Sequence, residues 1–298
     1  MGWRRTAVAS GAASAVSDAS NSRHRGLRAA LAALALILLA PAGAIAADMP
    51  EFLRGSYTPT YTRWEGFYVG GHIGASSMAT NFGNATSSEV AYILRNSTLE
   101  DQFAPSNWTT LGSTTTNSMQ YGGFVGYNWQ WDQLVVGLDF GYNHMSSMAT
   151  SASDTLERIV TTTDKIQHDV TVTAQSSIKL IDYAALRGRA GYTFGRFLPY
   201  AMLGVAVGRF NYSNAAVLTD AQTDMTTPPG AFLGTFVGSA SDAKDNAFAM
   251  GFVTGLGMDV QVMPNLFLRG EWEFVAFGLV SGIRTSVNAA RVGLGARF

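Results

Sequence analysis

From residue 66 onward the chain repeatedly alternates apolar residues with polar or small ones at a period of two. The clearest instance is 288–298. There Ala290, Val292, Leu294, Ala296 and Phe298 fall on one side, and Ala289, Arg291, Gly293, Gly295 and Arg297 on the other. A strand lying between two different environments requires this alternation. Eight stretches are predicted as strands: 66–75, 119–130, 134–144, 181–194, 197–212, 246–262, 265–277 and 288–298. The fifth is almost wholly apolar or glycine, so its facing stays open.

The connections between these stretches alternate in length. Residues 131–133, 195–196 and 263–264 are short turns. The other connections, 76–118, 145–180, 213–245 and 278–287, are longer, and the first three are rich in Ser, Thr, Asn and Asp. Short turns at one end and long polar loops at the other are the asymmetry of bacterial outer-membrane barrels. The predicted fold is therefore all-β: an eight-stranded antiparallel transmembrane β-barrel with short periplasmic turns and long extracellular loops. An even strand count puts both barrel termini at the periplasmic end.

The seventh strand decides which face meets lipid. Leu266, Leu268, Gly270, Trp272 and Phe274 alternate with Phe267, Arg269, Glu271, Glu273 and Val275. An Arg or Lys at mid-bilayer on the lipid side costs ~2–4 kcal/mol, so the charged side points inward. By the same reasoning Arg187 and Arg189, Arg291 and Arg297, and Asp139 face the lumen. Asp139, Arg187, Arg189, Arg269, Glu271, Glu273 and Arg291 are then expected to form a mixed-sign interior in which charges pair. Inward glycines at 70, 74, 137, 141, 255, 257, 293 and 295 leave room for the long side chains opposite. Trp64, Tyr68, Tyr127, Trp129, Trp131, Tyr192 and Tyr200 lie near strand ends, as interfacial aromatic girdles do.

Composition changes this picture mainly at the N-terminus. Five of the 20 basic residues, but only Asp18 among the 21 acidic ones, precede residue 48. The rest of the chain has a net charge of −5 and no basic run suited to nucleic acid. Residues 23–28 are basic, 27–39 are an apolar run, and Ala44-Ile45-Ala46 has the small-x-small form of a signal-peptidase site. Together these predict an export signal over 1–46, cleaved after Ala46. A periplasmic lead at 47–63 and a barrel at 64–298 complete the expected organisation. The chain lacks cysteine, which excludes disulfides, thiolate metal sites and a cysteine nucleophile.

The segment Trp64-Glu65-Gly66-Phe67-Tyr68-Val69-Gly70-Gly71-His72-Ile73-Gly74 resembles the W-x-G-F-Y-x-G-x-x-x-G opening of small porin-like outer-membrane proteins of alphaproteobacteria. Gly126-Tyr127-Asn128-Trp129-Gln130 and Arg291-Val292-Gly293-Leu294-Gly295-Ala296-Arg297-Phe298 resemble that family's later strands. The resemblance covers roughly residues 47–298. It implies an OmpA-type or opacity-type barrel whose terminal aromatic, here Phe298, is the signal read by the barrel-assembly machinery. Family members are called porins, are surface antigens, and in some cases bind haem or host surfaces. The long first loop departs from typical members, as does Asp139 where Glu is common. No ligand motif is shared, so haem does not carry over.

His24, His72, His144 and His168 show no metal spacing. His72 reads as a polar filler of the lumen, while His144 and His168 border one long loop and are placed to approach each other. Glu271 and Glu273 share a face and could serve as an acid–base pair. Neutralisation of Arg187, Arg189 and Arg291 is the favoured reading, because unpaired buried charge is so costly. No catalytic residue, metal or cofactor is expected. The expected role is structural or surface-interacting, with the lumen plugged by its own ions. A narrow porin for passive diffusion of small solutes is the alternative. Expected partners are outer-membrane lipid and lipopolysaccharide, the barrel-assembly machinery, periplasmic chaperones, and host or surface ligands reached by the loops.

Overall fold

The computed structural model describes residues 63–108, 111–226 and 228–298. The predicted cleavage point at Ala46 and most of the predicted lead lie outside these residues. Eight strands pair antiparallel, each with its sequence neighbours, and the first pairs with the last to close a barrel. They are β1 (Gly66–Asn81), β2 (Ser113–Trp131), β3 (Leu134–Thr161), β4 (Ile166–Tyr192), β5 (Phe197–Asp224), β6 (Ala231–Met263), β7 (Leu266–Phe277) and β8 (Arg284–Arg297). Two short helices, α1 (Ser87–Ile93) and α2 (Thr98–Phe103), lie between β1 and β2. Closure leaves no free strand edge within the bilayer, where an unpaired backbone group costs several kcal/mol.

Two of the predicted loops are strands. Residues 145–180 and 213–245 form the upper parts of two long hairpins, so β3, β4, β5 and β6 run for 28, 27, 28 and 33 residues. A bilayer needs only about 10 residues of tilted strand; the four strands therefore continue well beyond it. Their Thr and Ser content reads as loop. However, Leu156, Val160, Val170, Val172, Ala174, Ile178 and Leu180 alternate with those polar residues and turn to the inside. The inward side is dry because the connection between β1 and β2 folds over it. Val90, Leu94 and Leu99 of that connection pack with Val170, Val172, Ala216 and Leu218 of the hairpins. A β-bulge between Leu180 and Asp182 switches the parity of β4, so even-numbered residues face inward above it and odd-numbered ones below it.

The interior is layered along the barrel axis. At the periplasmic end Trp64, Tyr68, Phe124, Val135, Leu198, Tyr200, Met202 and Phe267 form one apolar cluster. A second and larger one lies toward the outside, built around Met78, Met145, Met148, Tyr183, Phe210, Val253, Val275, Phe277 and Val287. The charged residues occupy the level between them. β5, whose facing the sequence left open, turns Leu198, Tyr200 and Met202 inward and Leu203, Val205 and Val207 outward.

The aromatic girdle is smaller than expected. Tyr127, Trp129, Trp131 and Tyr192 are exposed on the outer surface, whereas Trp64, Tyr68 and Tyr200 are buried inside. Parity explains the difference: Tyr68 and Tyr200 sit on inward positions, where their hydroxyls have carboxylates to meet. Several glycines accommodate these rings rather than ions. A Cβ on Gly257 would stand 2.4 Å from the Tyr200 ring, and one on Gly126 would stand 2.3 Å from the Tyr68 hydroxyl.

Candidate functional site

The middle layer gathers the seven charged residues that parity assigned to the lumen, and one more, Asp259 on β6. Asp139 accepts from Arg187 and, at 3.0 Å, from Arg269. Arg187 also donates to Glu273 at 2.6 Å. Arg291 donates to Glu271 through Nε at 2.7 Å and to Glu273 through Nη2 at 2.7 Å. Arg269 donates to both oxygens of Asp259, at 2.9 and 3.0 Å, and Arg189 donates to Asp259 at 3.0 Å. The four guanidinium groups and four carboxylates have a formal sum of zero, and all are buried.

Neutral groups complete the shell. Tyr68 donates to Asp139 at 2.8 Å, Tyr183 to Glu273 at 2.7 Å and Tyr200 to Glu271 at 2.6 Å. Arg189 donates to Asn128, which in turn donates to the Trp64 carbonyl. The Arg269 guanidinium lies 4.1 Å from the Phe124 ring centroid, so the cation also borders the face of the apolar cluster below it. Buried ions are tolerated when both charge and hydrogen-bonding capacity are met, and five strands supply the ions here.

Sequence reasoning missed Asp259, the three tyrosines and Asn128 of this shell. Asp259 was legible, because it follows outward Met258 and stands two positions from inward Gly257. The tyrosine and asparagine roles depend on partners from other strands, such as the Tyr183–Glu273 pair between β4 and β7, and no local pattern announces them.

The remaining candidates are not brought together. His72 is buried with its Nε2 2.8 Å from Asn143 Oδ1, an oxygen that also accepts from Arg291 at 3.0 Å. Among the described residues its ring makes no hydrogen bond to a nucleophile or a carboxylate. His144 and His168 do not approach each other. His144 sits on the outer face against Tyr121, with ring centroids 5.1 Å apart. His168 is inside the upper hairpins, its Nδ1 2.8 Å from Asp220. The two belong to opposite faces of the sheet, which sequence distance alone does not register. Among the described residues no cluster of three or more His, Asp or Glu could hold a metal. Arg297 reaches the Pro264 carbonyl at the periplasmic rim, and Phe298, whose backbone N–H bonds the Phe67 carbonyl at 2.9 Å, is mostly exposed there.

Residues 30–298 match the profile of the outer membrane protein beta-barrel domain. The chain belongs to that family. It is 23% identical over 190 residues to the 25 kDa outer-membrane immunogenic protein of Brucella ovis, covering 64% of this chain and 69% of that one. The protein of the same name in Brucella abortus is 24% identical over 200 residues, with 64% and 70% covered. Among solved structures it is similar to the attachment invasion locus protein Ail of Yersinia pestis, at 13% identity and a TM-score of 0.31, covering 78% of this chain and 99% of that one. It is also similar to Neisserial surface protein A, at 12% identity and a TM-score of 0.33, with 78% and 97% covered. The family and the Brucella relatives place this protein in the outer membrane of a Gram-negative cell.

Proposed function

We propose that the protein is a sealed barrel whose role is structural and surface-presenting rather than conductive. The observation that carries this reading is the middle layer, where four guanidinium groups and four carboxylates cross-link the strands between two apolar clusters. An eight-stranded barrel is just wide enough for side chains to fill, and here the filling is neutral and closely bonded. An ion entering such a layer must displace a paired charge, whose desolvation has already been offset by its partners. The useful surface is then the pair of long hairpins and the helical connection folded between them.

On this reading residues 1–46 direct export and are removed after Ala46. Phe298, exposed at the periplasmic rim, is the residue the barrel-assembly machinery reads. The Brucella relatives are named immunogenic, and the hairpins are the corresponding surface of this chain. Planar-bilayer recording tests the sealed lumen. Purified protein that also shows the heat-dependent gel shift of a folded barrel should carry no steady current. A reproducible ohmic conductance would overturn the reading in favour of a narrow diffusion pore.

A further inference from the structure

The inner face of the long hairpins changes character toward the tip. Val170 and Val172 on β4, and Ala216 and Leu218 on β5, are apolar and packed under the helical connection. The next inward positions, His168 and Asp220, are polar and buried. A cavity of about 440 Å³ lies beside them, between the strands and residues 93–99 of the connection. Leu94, Leu99, Ile166 and Phe236 supply its apolar walls, and His168, Asp220 and Gln222 its polar ones. Gln102 holds the connection against the β3–β4 turn, donating to Thr163 Oγ1 at 2.8 Å and accepting from the Thr163 N–H at 3.0 Å.

The hydrogen bonds of the polar wall leave one group over. His168 Nδ1 lies 2.8 Å from Asp220 Oδ2, and Gln222 donates to the same oxygen at 2.8 Å. His168 Nε2 is 3.3 Å from Thr162 Oγ1. Asp220 is only 2% exposed, yet its Oδ1 has no partner among the described residues. A buried acceptor left unmade costs about 1–3 kcal/mol, and more when it is charged. An acid serving only to hold the hairpin would use both oxygens. A water could meet Oδ1, but one water occupies about 30 Å³ and the walls beyond it are apolar. The volume falls in the range of small-molecule sites, about 300–1,000 Å³.

We propose that this cavity binds a small primary amine with an apolar body. The ammonium donates to Asp220 Oδ1, and the body lies among Leu94, Leu99, Ile166 and Phe236. Charge selects the head group. A carboxylate offers acceptors only, so the guest must donate. Arg95, the lining's one guanidinium, is engaged by Tyr92, through the carbonyl at 3.1 Å and the ring at 4.2 Å, which leaves the cation to the guest. Phe236 is 45% exposed and sets an aromatic ring at the cavity, where it adds to the attraction of an ammonium. A carboxylate guest would instead bring like charge against Asp220. The inference rests on the surface-presenting half of the proposed function and is independent of whether the lumen conducts.

Titration calorimetry on the folded full-length barrel in detergent tests this, with phenethylamine as the probe. Ethylamine lacks the apolar body, and phenylacetate reverses the charge. Phenethylamine should bind at one site per chain, roughly tenfold or more tightly than either. Asp220→Asn keeps the side chain's shape and removes its charge, so affinity should fall roughly tenfold or more. Phe236→Ala, at a half-exposed position, should retain the heat-dependent gel shift and lose about threefold; it decides the matter should Asp220→Asn fail to fold. Glu157→Gln, on the outer face of the same sheet, should change nothing. No binding of phenethylamine, equal binding of phenylacetate, or an unchanged affinity in a folded cavity variant would overturn the proposal. So would an equal loss in Glu157→Gln, which would mark a general attraction of amines to acidic surface. Conductance measured on the same samples reports separately on the sealed lumen.

Discussion

Within the bilayer the barrel keeps its polarity inside, and each buried ion has a partner of opposite sign. Above the bilayer the same strands keep apolar residues on the inner face and turn polar ones toward water. The difference teaches that alternation is a single device with two uses. In lipid it turns the greasy side outward, because hydrocarbon is the outer solvent. In water it turns the greasy side inward, onto α1 and α2, because nothing else is dry. The bulge between Leu180 and Asp182 is where β4 changes from one use to the other.

Three substitutions would break or sharpen this contrast. The largest effect is expected in the ion layer. Glu273→Leu leaves Arg187 and Arg291 short of a carboxylate and Tyr183 without its acceptor. Breaking a buried ion network at one partner costs about 3–5 kcal/mol, which should appear as a lower urea midpoint for the folded gel band. If Glu273→Leu together with Arg291→Met recovers part of that loss, charge balance is the cause rather than shape. An unchanged midpoint in the single variant would show that the layer does not hold the barrel.

A smaller and local effect is expected above the membrane. Leu99→Ala empties a buried position between α2 and the hairpins, at a cost of about 2–5 kcal/mol to that packing. Hydrogen exchange should quicken in the upper parts of β4 and β5, while the gel shift and the barrel's urea midpoint stay the same. A global loss of stability would show the two regions to be one cooperative unit. The smallest effect is expected on the surface of β6. Phe232→Ser removes an exposed side chain and should change stability by no more than about 0.5 kcal/mol, as measured by the same urea titration. A clear destabilisation would mean that Phe232 is covered in the monomer.

Much of the fold was legible because membrane strands write their facing at a period of two. The run from Leu266 to Phe274 places Arg269, Glu271 and Glu273 in the lumen by exclusion from lipid alone. The Gly-aromatic strands and the alternation of turn lengths set strand number and closure. Where the reading went astray, a polar residue stood on the water side of a long strand. Thr171, Thr173 and Gln175 read as loop, since they face water and neither lipid nor core constrains them. The apolar partners at Val170, Val172 and Ala174 acquire meaning only once the segment carrying Leu99 folds over them.

The candidate site divides in the same way. The sequence by itself determined which residues turn inward, because a charge in hydrocarbon is costly wherever the strand lies in the ring. It also assigned the outer face, the turn lengths and the strand order. Only the tertiary structure decided who pairs with whom: that Asp259 is shared by Arg189 and Arg269, that Tyr183 caps Glu273 from across the barrel, and that His144 and His168 stand on opposite faces. Those pairings depend on closure, register and bulges, which bring together residues far apart in the chain. A local pattern records the solvent a side chain meets, whereas its partner is set by geometry that exists only after the ring has closed.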